Sequence, residues 1–365
     1  MRITAVTPFV LRVPLARAIA DAINHVPHWG VPGVLVETDE GLVGTGYSGT
    51  HSWGDELFAD VIGGTFADVL IDADPLQIKL LWDRLHWSNL HWVGRAGVVS
   101  MAHAAVDIAL WDLAAQAAGL PLYRMLGGHK PDGVPAYNTD AGWLNWSVDE
   151  LLRDMAALLE DGWSAIKMKV GHEDPATDVE RVRRVRAALG QDFRLMVDAN
   201  QRWDLPTAQA FSRRVEDLDI TWFEEPCHPD DVRAHAELAR STTIPLALGE
   251  NVYSKFAFRD FIAAGAVTYV QADCTRLSGI TEWLQVAGMA ACYNLPVVPH
   301  HGDFAQVQQH LVAATPAATM MEYIPWLLDI FVEPVRHVDG RLVLPESPGA
   351  STTIKPEAFA AYRIR

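Results

Sequence analysis

From Val134 onward the chain repeats one unit: a short apolar strand, a turn, an amphipathic helix, then the next strand. In one such unit Asp174-Pro175 supplies an N-cap and first-turn pair, Val179, Val182, Val185 and Leu189 a buried stripe, and Gly190 a stop. The strand Arg194 to Val197 follows. Thr221 to Glu224, Leu246 to Glu250, Thr268 to Gln271, Leu295 to Val298 and Thr319 to Glu322 read as later strands separated by helical segments. Strands that alternate with helices predict a parallel sheet. Eight such units need about 200 residues, close to what remains after residue 130, so a closed barrel competes well with an open doubly wound sheet. An open sheet built for dinucleotides should carry G-x-G-x-x-G after an early strand, and none stands at such a place.

The preceding residues lack that beat. Val34 to Glu37 and Leu42 to Tyr47, flanking the turn TDEG, predict a β-hairpin. A helix is predicted from about Val98 to Gly119, with Ala102, Ala105, Ile108, Ala109 and Leu113 on its apolar face. Trp82, Trp87 and Trp92, with His86 and His91, fall in a predicted helix and read as core packing without a functional role.

Polar residues end the barrel strands where a buried strand should be apolar: Lys167 and Lys169, Asp198 and Asn200, Glu224, Glu250, Asp273, His300 and Glu322. The steps from Lys169 are 29, 26, 26, 23, 27 and 22 residues, each about one strand-helix module. These residues are therefore expected at one height on successive strands, at the C-terminal rim where such barrels hold their active sites. Asp198, Glu224 and Glu250 are carboxylates on consecutive strands, and such charges repel unless a cation sits among them. Hard oxygen donors without imidazole or thiolate favour Mg²⁺.

In Lys167-Met168-Lys169 the period-2 alternation sends both lysines to one face, and their mutual repulsion, together with the nearby Mg²⁺, is expected to lower the pKa of at least one and make a lysine base near neutral pH. Asp273, on the neighbouring strand, is placed to orient His300 as a general base; a structural histidine, or a ligand role for His301, is the alternative.

With 46 acidic and 29 basic residues the formal net charge is −17, which repels phosphate backbones and anionic membrane surfaces. An anionic substrate then needs a local cation to reverse the bulk field. Cys227, Cys274 and Cys292 are too few and too widely spaced for a disulfide framework or zinc ribbon. The N-terminal segment lacks the uninterrupted apolar run of a signal peptide, and no stretch approaches about 18 apolar residues. A cytoplasmic protein is expected. Its partners should be a small hydroxy-acid substrate and further copies of the chain, with neither nucleic acid nor membrane.

Taken together, VDAN at 197 to 200, WFEEP at 222 to 226, LGE at 248 to 250, Asp273, His300 and the run AAVDIALWDLAAQAAGLPLYRMLGG ending at Gly128 resemble the enolase superfamily, in its mandelate racemase-like subgroup. The resemblance covers nearly the whole chain. It implies an α/β protein: a modified (β/α)7β TIM-like barrel over residues 128–330, under an N-terminal α+β capping domain, residues 1–127, completed by roughly 330–365. It makes Asp198, Glu224 and Glu250 the Mg²⁺ ligands, Lys169 the base on one face of the substrate, and His300, oriented by Asp273, the acid/base on the other. Lys167 would neutralise the substrate carboxylate and the enediolate formed from it, and Glu322 would contact that carboxylate opposite the metal. Asn200 at the same rim is expected to bind substrate. So are His25, His28, Trp29, His51 and Trp53, in segments where such caps send loops over the substrate.

The activity expected is dehydration of an acid sugar, aldonate or aldarate, to a 2-keto-3-deoxy acid. Racemisation or epimerisation, and cycloisomerisation of a sugar lactone, are alternative outcomes of the same first step. An inactive binding barrel would show a broken carboxylate trio, and a nicotinamide-dependent reductase would carry a phosphate-binding sequence; neither feature is present.

Overall fold

The computed structural model describes residues 1–88, 90–128, 130–301 and 305–365. Its first part is an antiparallel sheet of β1 (Ile3–Ala20), β2 (His25–Thr38) and β3 (Val43–Tyr47). β2 and β3 form the hairpin expected from the turn at Gly41, pairing from Gly33 with Tyr47 to Glu37 with Val43. The helix Val98–Ala117 lies against this sheet, and glycine makes that approach possible: a Cβ on Gly46 would collide with the carbonyl oxygen of Ala105. This helix is long and apolar enough to cross a membrane, but 78% of that stretch is buried inside the protein.

The second part is a barrel. β4 (Val134–Asn138), β5 (Ala165–Lys169), β6 (Arg194–Asp198), β7 (Ile220–Glu224), β8 (Leu246–Leu248) and β9 (Tyr269–Val270) pair in parallel in chain order. Val270 bridges to Val297, Val297 bridges to Ala318, and β10 (Met321–Tyr323) pairs in parallel with β4. That pairing closes the (β/α)7β barrel. Tyr137, Ala165, Met196, Trp222, Ala247, Val298 and Met320 form a buried cluster. Ile166, Met168, Leu195 and Val197 pack in a separate cluster with residues of the surrounding helices, such as Val182 and Phe211. Near the C-terminus β11 (Arg336–Val338) and β12 (Arg341–Val343) form a hairpin whose second strand pairs antiparallel with β4. The helix Pro356–Tyr362 returns to the first sheet, where Arg363 bridges to Leu11.

Three strand expectations need correction. The strand read through Glu250 ends at Leu248, and the one read through Gln271 ends at Val270. Gly249 explains the first, because a Cβ there would strike the Gln271 backbone; only glycine lets the chain turn away so close to its neighbour. The segment Leu295 to Val298 bridges only through Val297, to Val270 on one side and Ala318 on the other, since Pro296 cannot donate to a ladder and Pro299 breaks it again.

The tryptophans read as core are also corrected. Trp82 is buried, but the helix Ile78–His86 stops short of Trp87 and Trp92, which are 64% and 92% exposed. Trp82 stacks on His86 and Trp87 packs on His91, with ring centroids 5.0 and 4.5 Å apart. These residues, Trp92 excepted, line a cavity of about 790 Å³ between this segment and the helix Lys255–Ala263.

Candidate active site

Lys169 pairs in register with Asp198, and Asp198 with Glu224, so these three stand in one row across β5, β6 and β7. Glu250 and Asp273 follow on the turns just beyond β8 and β9. The chain leaves the strands sharply: Asn200, Gln201 and Glu225 all have positive φ, at 41°, 66° and 39°. Non-glycine residues hold that conformation at a cost, and the surroundings pin it here. The Asn200 N–H donates to Asp198 Oδ1 at 2.8 Å, and Gln201 Nε2 donates to Glu225 Oε2 at 2.6 Å.

Oxygen atoms of Asp198, Glu224 and Glu250 lie within 4.8 Å of one another. Neighbouring side chains hold two of these carboxylates in place. Glu224 accepts from Trp222 Nε1 at 3.0 Å and Gln271 Nε2 at 2.6 Å, and Glu250 accepts from Asn251 Nδ2 at 3.2 Å. Burial pushes the Glu224 carboxyl up to about 7; Lys167 opposes this while Asp198 and Glu322 add to it. A largely buried all-carboxylate trio of this spacing fits a hard divalent cation that takes oxygen donors, and lacks the nitrogen and sulfur donors of a zinc site.

Both lysines point into the barrel mouth. Lys167 Nζ contacts Glu224 at 2.5 Å, Glu322 at 2.9 Å and Asp198 at 3.4 Å, and Lys169 Nζ contacts Asp198 at 2.5 Å. The protein's own groups hold both lysines charged; the expected lowering of a lysine pKa rests also on a bound Mg²⁺, which would take up the same carboxylates. Burial does oppose the charge on each lysine, but Glu224 and Glu322 outweigh it at Lys167, and Asp198 at Lys169, so both values are raised. The reason is proximity: carboxylates stand closer to each ammonium group than repulsion between the two can offset.

His300 Nδ1 lies 2.8 Å from Asp273 Oδ2, and Nε2 lies 3.0 Å from Glu250 Oε2. Burial disfavours the imidazolium, yet Glu250 and Asp273 more than reverse this and raise the pKa well above the ordinary histidine value. Asp273 is itself held through Oδ1 by Thr275 N and Oγ1 and by Gln308 Nε2. Glu322 accepts from Thr139 Oγ1 at 2.5 Å and from the His301 N–H at 3.2 Å. Burial pushes the buried His301 ring down to about 4, which leaves it neutral.

These groups open into a pocket of about 270 Å³ lined by Lys169, Asn200, Glu250, His300 and Glu322 below and by Trp29 and His51 above. His25, His28 and Trp53, expected to bind substrate, lie elsewhere. His25 pairs opposite Ala20 and His28 opposite Pro14 on the β1–β2 ladder with both side chains exposed, and Trp53 is 83% exposed. The segment runs as a strand with a register shift between the Pro14–His28 and Ile19–Val26 pairs, and it reaches the pocket through Asn24 and Trp29 rather than through these histidines. The aromatic wall comes from Trp29, Trp143 and Trp326, with centroids 5.2 Å apart for Trp29–Trp326 and 5.1 Å for Trp143–Trp326. Trp143, Trp326, Arg276 and Asn251 also line the pocket and are not singled out by the sequence patterns. Each follows a barrel strand, so a survey of every strand-to-helix loop would find them.

The order of groups around the mouth is specific: ammonium on β5, carboxylates from β6, β7 and β8, and a carboxylate-held imidazole after Val297. Residues 6–127 match the mandelate racemase / muconate lactonizing enzyme N-terminal domain, and residues 150–358 match the enolase C-terminal domain-like family. The chain belongs to the enolase superfamily.

Within that superfamily it is 35% identical over 353 residues to L-talarate/galactarate dehydratase of Salmonella typhimurium, spanning 95% of this chain and 87% of the relative. It is 33% identical to 3,6-anhydro-alpha-L-galactonate cycloisomerase of Streptomyces coelicolor, over 97% of each. The crystal structure of L-talarate dehydratase from Polaromonas sp. JS666, complexed with Mg and L-glucarate, superposes with a TM-score of 0.91 at 37% identity, covering 99% of this chain and 97% of that one. This enolase superfamily member thus has dehydratase and cycloisomerase relatives of nearly equal reach.

Proposed function

We propose that the protein is a Mg²⁺-dependent dehydratase of an acid sugar, an aldonate or aldarate, that forms a 2-keto-3-deoxy acid. The observation that carries the reading is the placing of Lys169 and His300 at opposite ends of an arc of three carboxylates, both lining one small pocket. Asp198, Glu224 and Glu250 would hold the ion, which when bound stabilises negative charge developing on the substrate carboxylate.

The rest of the chemistry falls to the side chains. In the protein alone Asp198 holds Lys169 charged; with the Asp198 oxygens taken up by a bound cation, Lys169 Nζ would be free to take the proton from the carbon next to the carboxylate, and Lys167 supplies fixed positive charge for the enediolate that results. His300, its Nδ1 held by Asp273, gives the Nε2 proton to the β-hydroxyl as the C–O bond breaks, so water leaves and an enol remains. The enol tautomerises to the 2-keto acid. Trp29, Trp143 and Trp326 shield one side of the pocket from solvent.

Two proton-transfer groups on opposite faces also serve epimerisation or ring opening, and the cycloisomerase relative favours keeping that second reading. A library of mono- and diacid sugars assayed with Mg²⁺ for 2-keto acids tests the first reading. Substrate incubated in heavy water should exchange its α-hydrogen. Full turnover in both Lys169→Ala and His300→Ala would defeat the two-base assignment.

A further inference from the structure

Asp273, which holds His300, is itself held by the segment that follows it. Thr275 gives its N–H and its Oγ1–H to Asp273 Oδ1, each at 2.8 Å, and the N–H groups of Arg276 and Leu277 bond to the Asp273 carbonyl oxygen at 3.1 and 3.0 Å. The segment then turns through Ser278 and Gly279, whose φ values are 58° and 102°, into the helix Ile280–Cys292. A positive φ at serine persists only where the surroundings fix it. Here they belong to the first part of the chain. Ser48, just past β3, donates its Oγ–H to the Thr275 carbonyl oxygen at 3.0 Å, across 227 residues of sequence. Ser100 Oγ donates to the Arg276 carbonyl oxygen at 2.6 Å and lies 2.9 Å from Ser278 Oγ, and Trp82 Nε1 donates to the Ser278 carbonyl oxygen at 2.7 Å.

Gly279 gives the helix Ile280–Cys292 no side-chain cap, and Asp107 of the helix Val98–Ala117 supplies one, accepting from the Thr281 N–H at 2.9 Å and Thr281 Oγ1 at 2.7 Å. A Cβ at Gly279 would collide with that carboxylate. Ser48, Ser100, Asp107, Thr275, Ser278 and Thr281 are all buried, so water does not compete for these bonds. Apolar packing alone could join the two parts; these polar contacts instead gather on one loop, the one that leaves Asp273. The Ser48 contact stands nearest the chemistry, because the residue whose carbonyl it holds uses its own N–H and hydroxyl to hold Asp273. Ser48 is anchored in turn: its N–H donates to the Pro32 carbonyl oxygen at 2.9 Å, on the strand that carries Trp29, and three residues further on His51 lines the pocket.

We propose that Ser48 is a positioning residue for the His300 acid: through Thr275 and Asp273 it fixes the imidazole plane, so that the first part of the chain sets the proton donor of a reaction carried out on the barrel. The inference rests on the two-base dehydratase reading above and adds a residue to it that touches neither substrate nor metal ligands.

The test compares Ser48→Ala and Ser48→Thr with Ser212→Ala, which removes an equally buried hydroxyl that bonds within its own helix, to the Gln209 carbonyl oxygen at 3.1 Å. Two rates are read on the Mg²⁺-loaded protein in heavy water. Exchange of the α-hydrogen needs Lys169 to take the proton and return a deuteron; 2-keto acid formation also needs His300 to protonate the departing hydroxyl. A misaligned imidazole lets the enediolate revert, so Ser48→Ala should lose about 10-fold or more in 2-keto acid formation, while exchange does not fall and KM stays within about twofold. Ser48→Thr keeps the hydroxyl and should recover most of the loss, and Ser212→Ala should match native. Ser100→Ala acts on the same loop and should split the two rates in the same direction, which keeps the idea open to refutation if Ser48→Ala does not fold. Independently of turnover, the Nδ1–H resonance of His300 in histidine-labelled protein, assigned by its loss in His300→Asn, should move or broaden in Ser48→Ala. Exchange and turnover falling in step, Ser212→Ala losing as much as Ser48→Ala, or an unmoved resonance would overturn the assignment. A moved resonance without 2-keto acid from any sugar would uphold Ser48 and defeat the dehydratase reading instead.

Discussion

Asp273 Oδ2 stands 2.8 Å from His300 Nδ1, and its other oxygen takes three hydrogen bonds from Thr275 and Gln308. The carboxylate cannot rotate without losing those bonds, so it sets the imidazole plane and directs Nε2 toward Glu250.

Asp273→Asn should keep the fold and spoil the tautomer, since an amide cannot accept at both former oxygens. Turnover should fall about 100-fold or more, with the Mg²⁺ dissociation constant unchanged. Steady-state kinetics and metal calorimetry on the same preparation check this, and activity within threefold of native would show that the pair does not orient the acid.

Three carboxylates within 4.8 Å of one another should make the folded state more stable when Mg²⁺ binds. At a hundredfold excess over the dissociation constant the gain should be about 2.7 kcal/mol, read as a rise in unfolding temperature and abolished by chelator. Glu250→Gln and Asp198→Asn should each lose most of that rise.

Gly46→Ala tests how the β-sheet meets the helix Val98–Ala117. The added methyl meets the Ala105 carbonyl oxygen and the Ala109 nitrogen, both backbone atoms that no rotamer change can clear. A loss of about 3 kcal/mol is expected in denaturant unfolding. Gly288→Ala, inside the helix Ile280–Cys292 and with nothing within 4 Å of the new Cβ, is the control.

His310 provides a pH test away from the site. Its Nδ1 accepts the Tyr123 N–H at 3.1 Å, and burial pushes its pKa down to about 3 from 6.5. Between those values the unfolded chain binds a proton that the folded chain refuses, so stability rises with pH and is lost as pH falls below about 6.5. His310→Asn keeps an acceptor for Tyr123 without a titrating ring. Between pH 6 and 4 its stability should fall less steeply than native by about 1.4 kcal/mol per pH unit, measured by urea unfolding.

Much of the architecture is legible in the order of residues alone. The module spacing from Lys169 to Glu322 reflects a barrel in which each strand-helix unit returns the chain to the same rim, so polar residues one module apart meet there. Local alternation likewise separates Lys167 and Lys169 from Met168. The hairpin at Gly41 and the helix near residue 98 follow from equally local patterns.

What periodicity cannot carry is distance between loops and the balance of charges at close range. Trp143 and Trp326 become one wall only because β10 pairs with β4 and brings the loops after them together. In the protein alone the folded chain sets Asp198, Glu224 and Glu322 against the ammonium groups and holds both lysines charged, a matter of a few ångströms that no spacing along the chain records. Alternation and module length are local properties, and they suffice to say which residue types reach the rim. Which of those residues touch is a property of the closed barrel, because contact depends on strand pairing across the whole chain and on backbone turns such as the one at Gly249.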